Sequence, residues 1–196
     1  MGGVDILINN AGIMNQGLFH EIADEEHVKT FEVNIISLIY TIKAVLPFMI
    51  QQNSGFIINI SSAAGILGVA NLASYASTKW AVWGLTESLR HEIKNQHKNI
   101  HFSSIHPGYL KKGLFAGAEI KGLGRFIVPR VKSYDVIAKA IVKSAIKGKK
   151  TIVFRPRSIR AAVFFRGILP DILLFWFLRM MNVHTSMDSW KGRNND

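Results

Sequence analysis

Phe56-Ile57-Ile58-Asn59-Ile60-Ser61-Ser62 is a short, almost wholly apolar run that stops on two hydroxyl residues. Its counterpart, Val4-Asp5-Ile6-Leu7-Ile8, runs into Asn9-Asn10-Ala11-Gly12. Apolar runs of this length, bounded by turn-forming residues, predict strands buried on both faces. Between them, over Glu25 to Gln51, Phe31, Ile35, Leu38, Ile39, Ile42, Val45 and Leu46 recur three and four apart, the spacing of a helix with one buried face. Asn53-Ser54-Gly55 closes that helix.

Working outward, Tyr75 to His91 reads as the next helix and Ile100 to Ile105 as a third strand, stopped by Pro107-Gly108. Gly113 to Gly124 holds four glycines and reads as a mobile loop. Ser133 to Ile146 is helical, with Ser133 as N-cap and Asp135 in the first turn. Thr151 to Phe154 is the last strand, and a basic, aromatic tail follows. Strands that alternate with helices predict a parallel sheet covered by helices on both faces, an α/β fold of four strands.

Composition narrows the function. With 196 residues, 48% of them hydrophobic and 19% charged, the chain is long and apolar enough to bury a core. It has no cysteine, which excludes disulfides, thiolate metal sites and a thiol nucleophile. The formal charge of +11 is uneven: residues 1 to 110 carry a net −2 and residues 111 to 196 a net +13. The basic residues of the second half are interleaved with apolar ones and form no zinc finger, helix-turn-helix or RNA-binding motif, so nucleic acid is not the expected partner. The seven histidines are scattered and predict no metal site. Met1-Gly2-Gly3-Val4-Asp5 lacks the basic start of a secretory signal. The longest unbroken apolar run of the tail, Ile172 to Leu178, is far short of a spanning helix.

In a doubly wound sheet the ligand site lies at the carboxyl ends of the strands. Three of the four predicted ends carry unusual residues: Asn10-Ala11-Gly12, Ser61-Ser62 and Pro107-Gly108. Tyr75 and Lys79 stand four apart at a helix start and share one face. An ammonium beside a phenol favours phenolate, and such a tyrosine gives or takes a proton at a carbonyl or alcohol oxygen. Each element alone is common in structural settings: a helical Tyr-x-x-x-Lys pair, a Ser-Ser turn, an Asn-Asn-Gly cap. Their order, at the ends of successive strands, is not.

Asn9-Asn10-Ala11-Gly12, Asn34, Ile60-Ser61-Ser62-Ala63-Ala64-Gly65, Tyr75-Ala76-Ser77-Thr78-Lys79 and His106-Pro107-Gly108 together resemble the short-chain dehydrogenase/reductase family, in its simple single-domain subgroup. The resemblance covers Val4 to about Phe154. It implies a Rossmann-type doubly wound parallel sheet and an NAD or NADP cofactor. It implies Tyr75 as general acid/base, Ser62 rather than Ser61 on the substrate oxygen, and Lys79 on the tyrosine and the nicotinamide ribose. Asn34 would hold a water that extends the proton relay. Asn10, Ala11 and Gly12 would line the cofactor cleft, and Pro107 and Gly108 would face the nicotinamide. A homo-oligomer formed through the two long helices is a further implication.

Two departures stand out. The family's phosphate-cradling glycine loop is absent, and the chain begins at what would be the family's fourth strand. Such a chain is expected to expose Val4 to Ile8 as an apolar edge, to bind cofactor poorly and to aggregate. Where the family often has a threonine four residues after Pro107-Gly108, this sequence has Lys112, preceded by Lys111.

The division expected is 1–154, the second half of a dinucleotide-binding domain with the catalytic residues, and 155–196, a C-terminal segment. Phe164, Phe165, Ile168, Leu169, Ile172, Leu173, Phe175, Trp176, Phe177 and Leu178 make that segment apolar, and five arginines flank or interrupt it. It reads either as a helix that covers the sheet, cleft or dimer seam, or as an interfacial membrane segment. The ending Met187-Asp188-Ser189-Trp190-Lys191-Gly192-Arg193 resembles the retinol/17β-hydroxysteroid dehydrogenase-like branch. That implies a small lipophilic alcohol or ketone as substrate, and a cytoplasmic protein, peripheral on endoplasmic reticulum or lipid-droplet membrane. The alternative from another class is a truncated, inactive member that binds a membrane or a partner.

Overall fold

The structure, a computed structural model, describes residues 3–190 apart from 98, 111, 112, 119, 121, 123 and 128. Lys111, Lys112 and the Lys191-Gly192-Arg193 part of the tail therefore lie outside the described residues. Four strands, β1 (Ile6–Asn9), β2 (Gly55–Ile60), β3 (Ile100–Pro107) and β4 (Ile152–Arg155), form one sheet in the order β1-β2-β3-β4. Every pairing is parallel, with Ile8 opposite Ile58 and Ile57 opposite Phe102. The expected α/β Rossmann-type architecture is the one observed.

The crossovers follow the sequence pattern. Helix α1 (Asp24–Phe31) continues through a π turn, Glu32–Ile36, into α2 (Ser37–Gln52), a single rod from Asp24 to Gln52. By length and composition this rod is apolar enough to cross a membrane. Here its Ile35, Leu38, Ile42 and Met49 pack with Ile57, Phe102 and Val82 of α3 (Ala73–Lys94) on one face of the sheet. Asn53 ends the rod in the left-handed conformation (φ 47°), which asparagine tolerates. On the other face, α5 (Tyr134–Ala140) and its π-helical continuation to Ile146 cover Ile58, Ile105 and Val153. That cover does not extend to β1, whose Ile6 and Ile8 on the same face are exposed.

The structure corrects several expectations. Pro107 does not stop β3 but ends it, opposite Arg155. The amides of Ser104 and Gly108 donate to Thr151 and Arg155, so position 107 faces β2, which has already ended at Ile60, and its missing N–H costs nothing. Ser133 occupies the N-cap of α5 but its hydroxyl makes no capping bond. The 113–124 segment is packed where described, with Phe115, Ala118 and Ile120 in a buried cluster and a short helix α4 (Gly124–Ile127) at its end. The tail forms two helices, α6 (Ile159–Ile168) and α7 (Asp171–Met180), because Pro170 has no N–H to continue the first.

Candidate active site

The carboxyl ends of β1, β2 and β3 open into a cleft of about 470 Å³ whose walls include Asn10, Ala11, Gly12, Ser62, Tyr75, Lys79 and Pro107. Gly108 lies next to it, against a separate apolar pocket that shares Ser62. Asn34, at the π turn, borders the cleft through Gly12, where an added Cβ would stand 3.4 Å from both Asn34 Oδ1 and Lys79 Nζ. The fold thus gathers all nine residues singled out by sequence around one opening.

Each side chain is held by a local device. Ser61 donates its hydroxyl to the Lys79 carbonyl at 2.8 Å, which fixes the end of β2 to α3. Ser62, next along, accepts from the Ala64 amide at 3.2 Å and keeps its own proton to give. Asn34 has its carboxamide fully engaged: Oδ1 accepts from the Ile13 amide (2.8 Å), and Nδ2 donates to the Ile13 carbonyl (2.9 Å) and Thr78 Oγ1 (3.0 Å). Its side chain ties the loop after β1 to α3.

Tyr75 and Lys79 lie one turn apart in α3, both buried. Lys79 Nζ sits 5.6 Å from the Tyr75 ring centroid and donates to the Ile60 carbonyl at 3.0 Å. Burial pushes the Lys79 pKa down from 10.5 to about 8. Burial also pushes the Tyr75 phenol well above its usual range; the Ser62 hydroxyl pulls it back, and the Tyr109 phenol adds to the rise. The sequence expectation that the lysine brings this phenol towards neutrality is not met in this state. Desolvation disfavours the phenolate more than its polar neighbours support it.

The residues present fit the nicotinamide–ribose end of a dinucleotide. The cleft is floored by backbone at Gly12, and Lys79 has two ammonium protons left to offer once Ile60 has taken one. Held there, a nicotinamide cofactor supplies the hydride chemistry.

Some functional neighbours escape sequence reading. Phe115 packs edge-on to Tyr75 at 5.7 Å, and Tyr109 bonds Ser186 at 2.8 Å, so the C-terminal segment closes over the site. Trp190 Nε1 donates to the Leu114 carbonyl and Ser189 to that of Gly117. These contacts span more than 70 residues and leave no local signal. His106, fully buried, reaches the Ser62 carbonyl at 3.3 Å and Ser104 Oγ at 2.9 Å, and burial lowers its pKa to about 4. In the sequence His106 stands out only as part of the His-Pro-Gly motif.

A parallel α/β sheet with its cleft at the carboxyl ends of the strands, Ser62 just past β2 and Tyr75 and Lys79 on α3, is the architecture of a Rossmann-type fold with a polar site at its crevice. Within it, the sequence pattern of the short chain dehydrogenase family matches residues 1–123. The chain belongs to the short-chain dehydrogenase/reductase family. It is 31% identical over 194 residues to the bovine (Bos taurus) short-chain dehydrogenase/reductase family 16C member 6, covering 98% of this chain and 60% of the relative. To human (Homo sapiens) epidermal retinol dehydrogenase 2 it is 33% identical over 171 residues, 87% of this chain and 54% of that one. The chain therefore spans little more than half the length of these curated relatives. In fold it is similar to a Burkholderia phymatum short chain dehydrogenase/reductase solved in complex with NAD, at a TM-score of 0.67 and 23% identity, covering 89% of this chain and 68% of that one.

Proposed function

We propose that this chain carries the catalytic centre of an NAD- or NADP-dependent oxidoreductase that interconverts a lipophilic alcohol, such as a retinoid or steroid, and its carbonyl. The observation that carries the reading is the meeting of Ser62, Tyr75 and Lys79 in one cleft beside an apolar pocket. Ser62 donates its hydroxyl to the substrate oxygen. Tyr75 gives that oxygen a proton in reduction and takes it in oxidation. Lys79, one turn from Tyr75, receives the proton and passes it on, towards water held near Asn34. Asn10, Ala11, Gly12, Pro107 and Gly108 border the place of the nicotinamide.

Ile66, Leu67, Leu72, Ile120, Ile159 and Val183 line an apolar pocket of about 50 Å³ beside Ser62, room for a small hydrocarbon group of such a substrate rather than its whole body. The retinol dehydrogenase relative supports the same substrate class. Exposed Val28, Tyr40 and Phe48 on the long rod support pairing of copies in a homo-oligomer. The apolar, arginine-bearing C-terminal helices support a peripheral place on endoplasmic reticulum or lipid-droplet membrane.

The test is turnover of all-trans-retinol and a steroid alcohol with NAD and with NADP. It uses the chain expressed with any in-frame coding sequence upstream of Met1. Tyr75→Phe is expected to abolish turnover, by about a thousandfold or more, with the far-ultraviolet circular dichroism unchanged. Turnover that survives this change overturns the mechanism.

A further inference from the structure

Helix α6 has two faces. Its inner side, Ile159 and Ala162, walls the apolar pocket beside Ser62. Its outer side presents Arg160, Phe164 and Ile168 at four-residue spacing, all exposed, and exposed Arg157 sits in the turn just before it, so that the surface runs from cationic to apolar. Helix α7 extends the apolar end. Of its ten residues only Leu174 is buried, while Ile172 is 67% exposed and Trp176 62%, one turn apart. Phe165 and Phe177 join the helices at 5.6 Å between ring centroids, and Arg166 stacks on Trp80 at 4.4 Å, holding α6 against α3. The hairpin is thus fixed to the body with its apolar side facing outward.

The charge on this surface is one-sided. From residue 155 to 180 there are five arginines and one acid, Asp171. Arg157 and Arg160 lie near enough to Arg155 to disfavour its charge, and all three line a polar cleft of about 260 Å³ along the outer edge of β4 with Lys150. Among the described residues no carboxylate lies within ion-pair distance of Arg157 or Arg160. A second copy docked face to face would bring two such cationic rims together, with five arginines against one acid, Asp171, on each 155–180 segment. An anionic lipid surface instead meets the arginines with phosphates and the apolar stripe with acyl chains.

We infer that the α6–α7 hairpin docks the protein on anionic phospholipid membranes, with Arg157 and Arg160 at the headgroups and Phe164, Ile168, Ile172 and Trp176 in the acyl boundary. Because the opposite side of α6 walls the apolar pocket, the same helix separates that pocket from the lipid. The inference deepens the membrane part of the reading above and is independent of catalysis.

The test is co-sedimentation of the full chain with phosphatidylcholine vesicles, with and without one-fifth phosphatidylserine, at low and high salt. The expected result is binding to the phosphatidylserine vesicles that weakens with salt, falling roughly 30-fold in Arg157→Ser/Arg160→Ser. Ile172→Ser/Trp176→Ser abolishes binding with the thermal midpoint unchanged, since both side chains are exposed. Brominated lipids quench tryptophan in the parent chain but much less in Trp176→Phe, which still binds. Equal, salt-insensitive binding to both vesicles overturns the proposal. So does an absence of vesicle binding together with a concentration-dependent oligomer that the serine pair disrupts, which assigns the face to a second copy. Tyr75→Phe binds vesicles like the parent, so loss of turnover and loss of docking are read apart.

Discussion

Lys79 is an ammonium held in a place that disfavours its charge. A fall from 10.5 to about 8 corresponds to roughly 3 kcal/mol. Between those values the folded chain binds fewer protons than the unfolded one, so the lysine makes stability rise with pH over about 8 to 10.5. Below pH 8 it is a constant penalty. Lys79→Met is therefore expected to raise the unfolding free energy at neutral pH by up to about 3 kcal/mol, and by less near pH 9.5, in urea titrations at the two pH values. His106 has the same sign in a different window. Its pKa falls from 6.5 to about 4, so its contribution is fully present above 6.5 and is lost as pH drops towards 4, about 3 kcal/mol in all. His106→Gln should flatten the acid limb of the stability curve between those values, with the urea midpoint as readout.

At the scale of elements, the site rests on a polar ladder across the sheet. Thr41 donates to Asn9, Asn9 to Asn59, Asn59 to Thr86 and Thr86 to the Val82 carbonyl, at 2.6 to 2.9 Å. The ladder ties α2, β1, β2 and α3 together one layer below the cleft. Asn59→Leu takes the acceptor from half-buried Asn9 Nδ2 and one of the two bonds from buried Thr86 Oγ1, and should lower stability by about 1–2 kcal/mol in chemical denaturation. Gly65 is the closest approach between the turn after β2 and α3. A Cβ there would lie 2.6 Å from both the Lys79 carbonyl and Ser61 Oγ, so α3 must shift and carry Tyr75 and Lys79 with it. Gly65→Ala should cost about 1–3 kcal/mol, seen as a lower thermal midpoint.

For the molecule as a whole, the exposed surface follows from which faces the helices reach. The α5 stretch covers β2 to β4, leaving Ile6 and Ile8 of the edge strand β1 open to solvent. An apolar edge strand of this kind templates pairing with other chains. Ile6→Lys/Ile8→Lys should reduce light scattering of the concentrated chain without lowering its helical circular dichroism. Scattering unchanged by the pair would place the sticky surface elsewhere, with the α6–α7 hairpin next in line. The charge is divided along the same lines, with the acidic first half forming β1 to β3 and the +13 second half supplying β4 and the outer helices.

The sequence by itself determined the sheet, its parallel order and the carboxyl-end site, because strand burial, helix period and strand-end residues such as Ser61-Ser62 are local signals. Tyr75 and Lys79 were legible together since four residues of helix bring them to one face whatever surrounds them. Tertiary structure alone decided their ionisation, because desolvation depends on what the rest of the chain lays over the phenol. It also turned Asn34 into a tie between loop and helix, a role read from partners 21 and 44 residues away. The packing of Phe115, Tyr109 and Ser186 over the cleft was likewise invisible, and so was the break of the tail into a hairpin that faces outward. Contacts between distant segments have no period in the sequence, and they exist only once burial has brought those segments together.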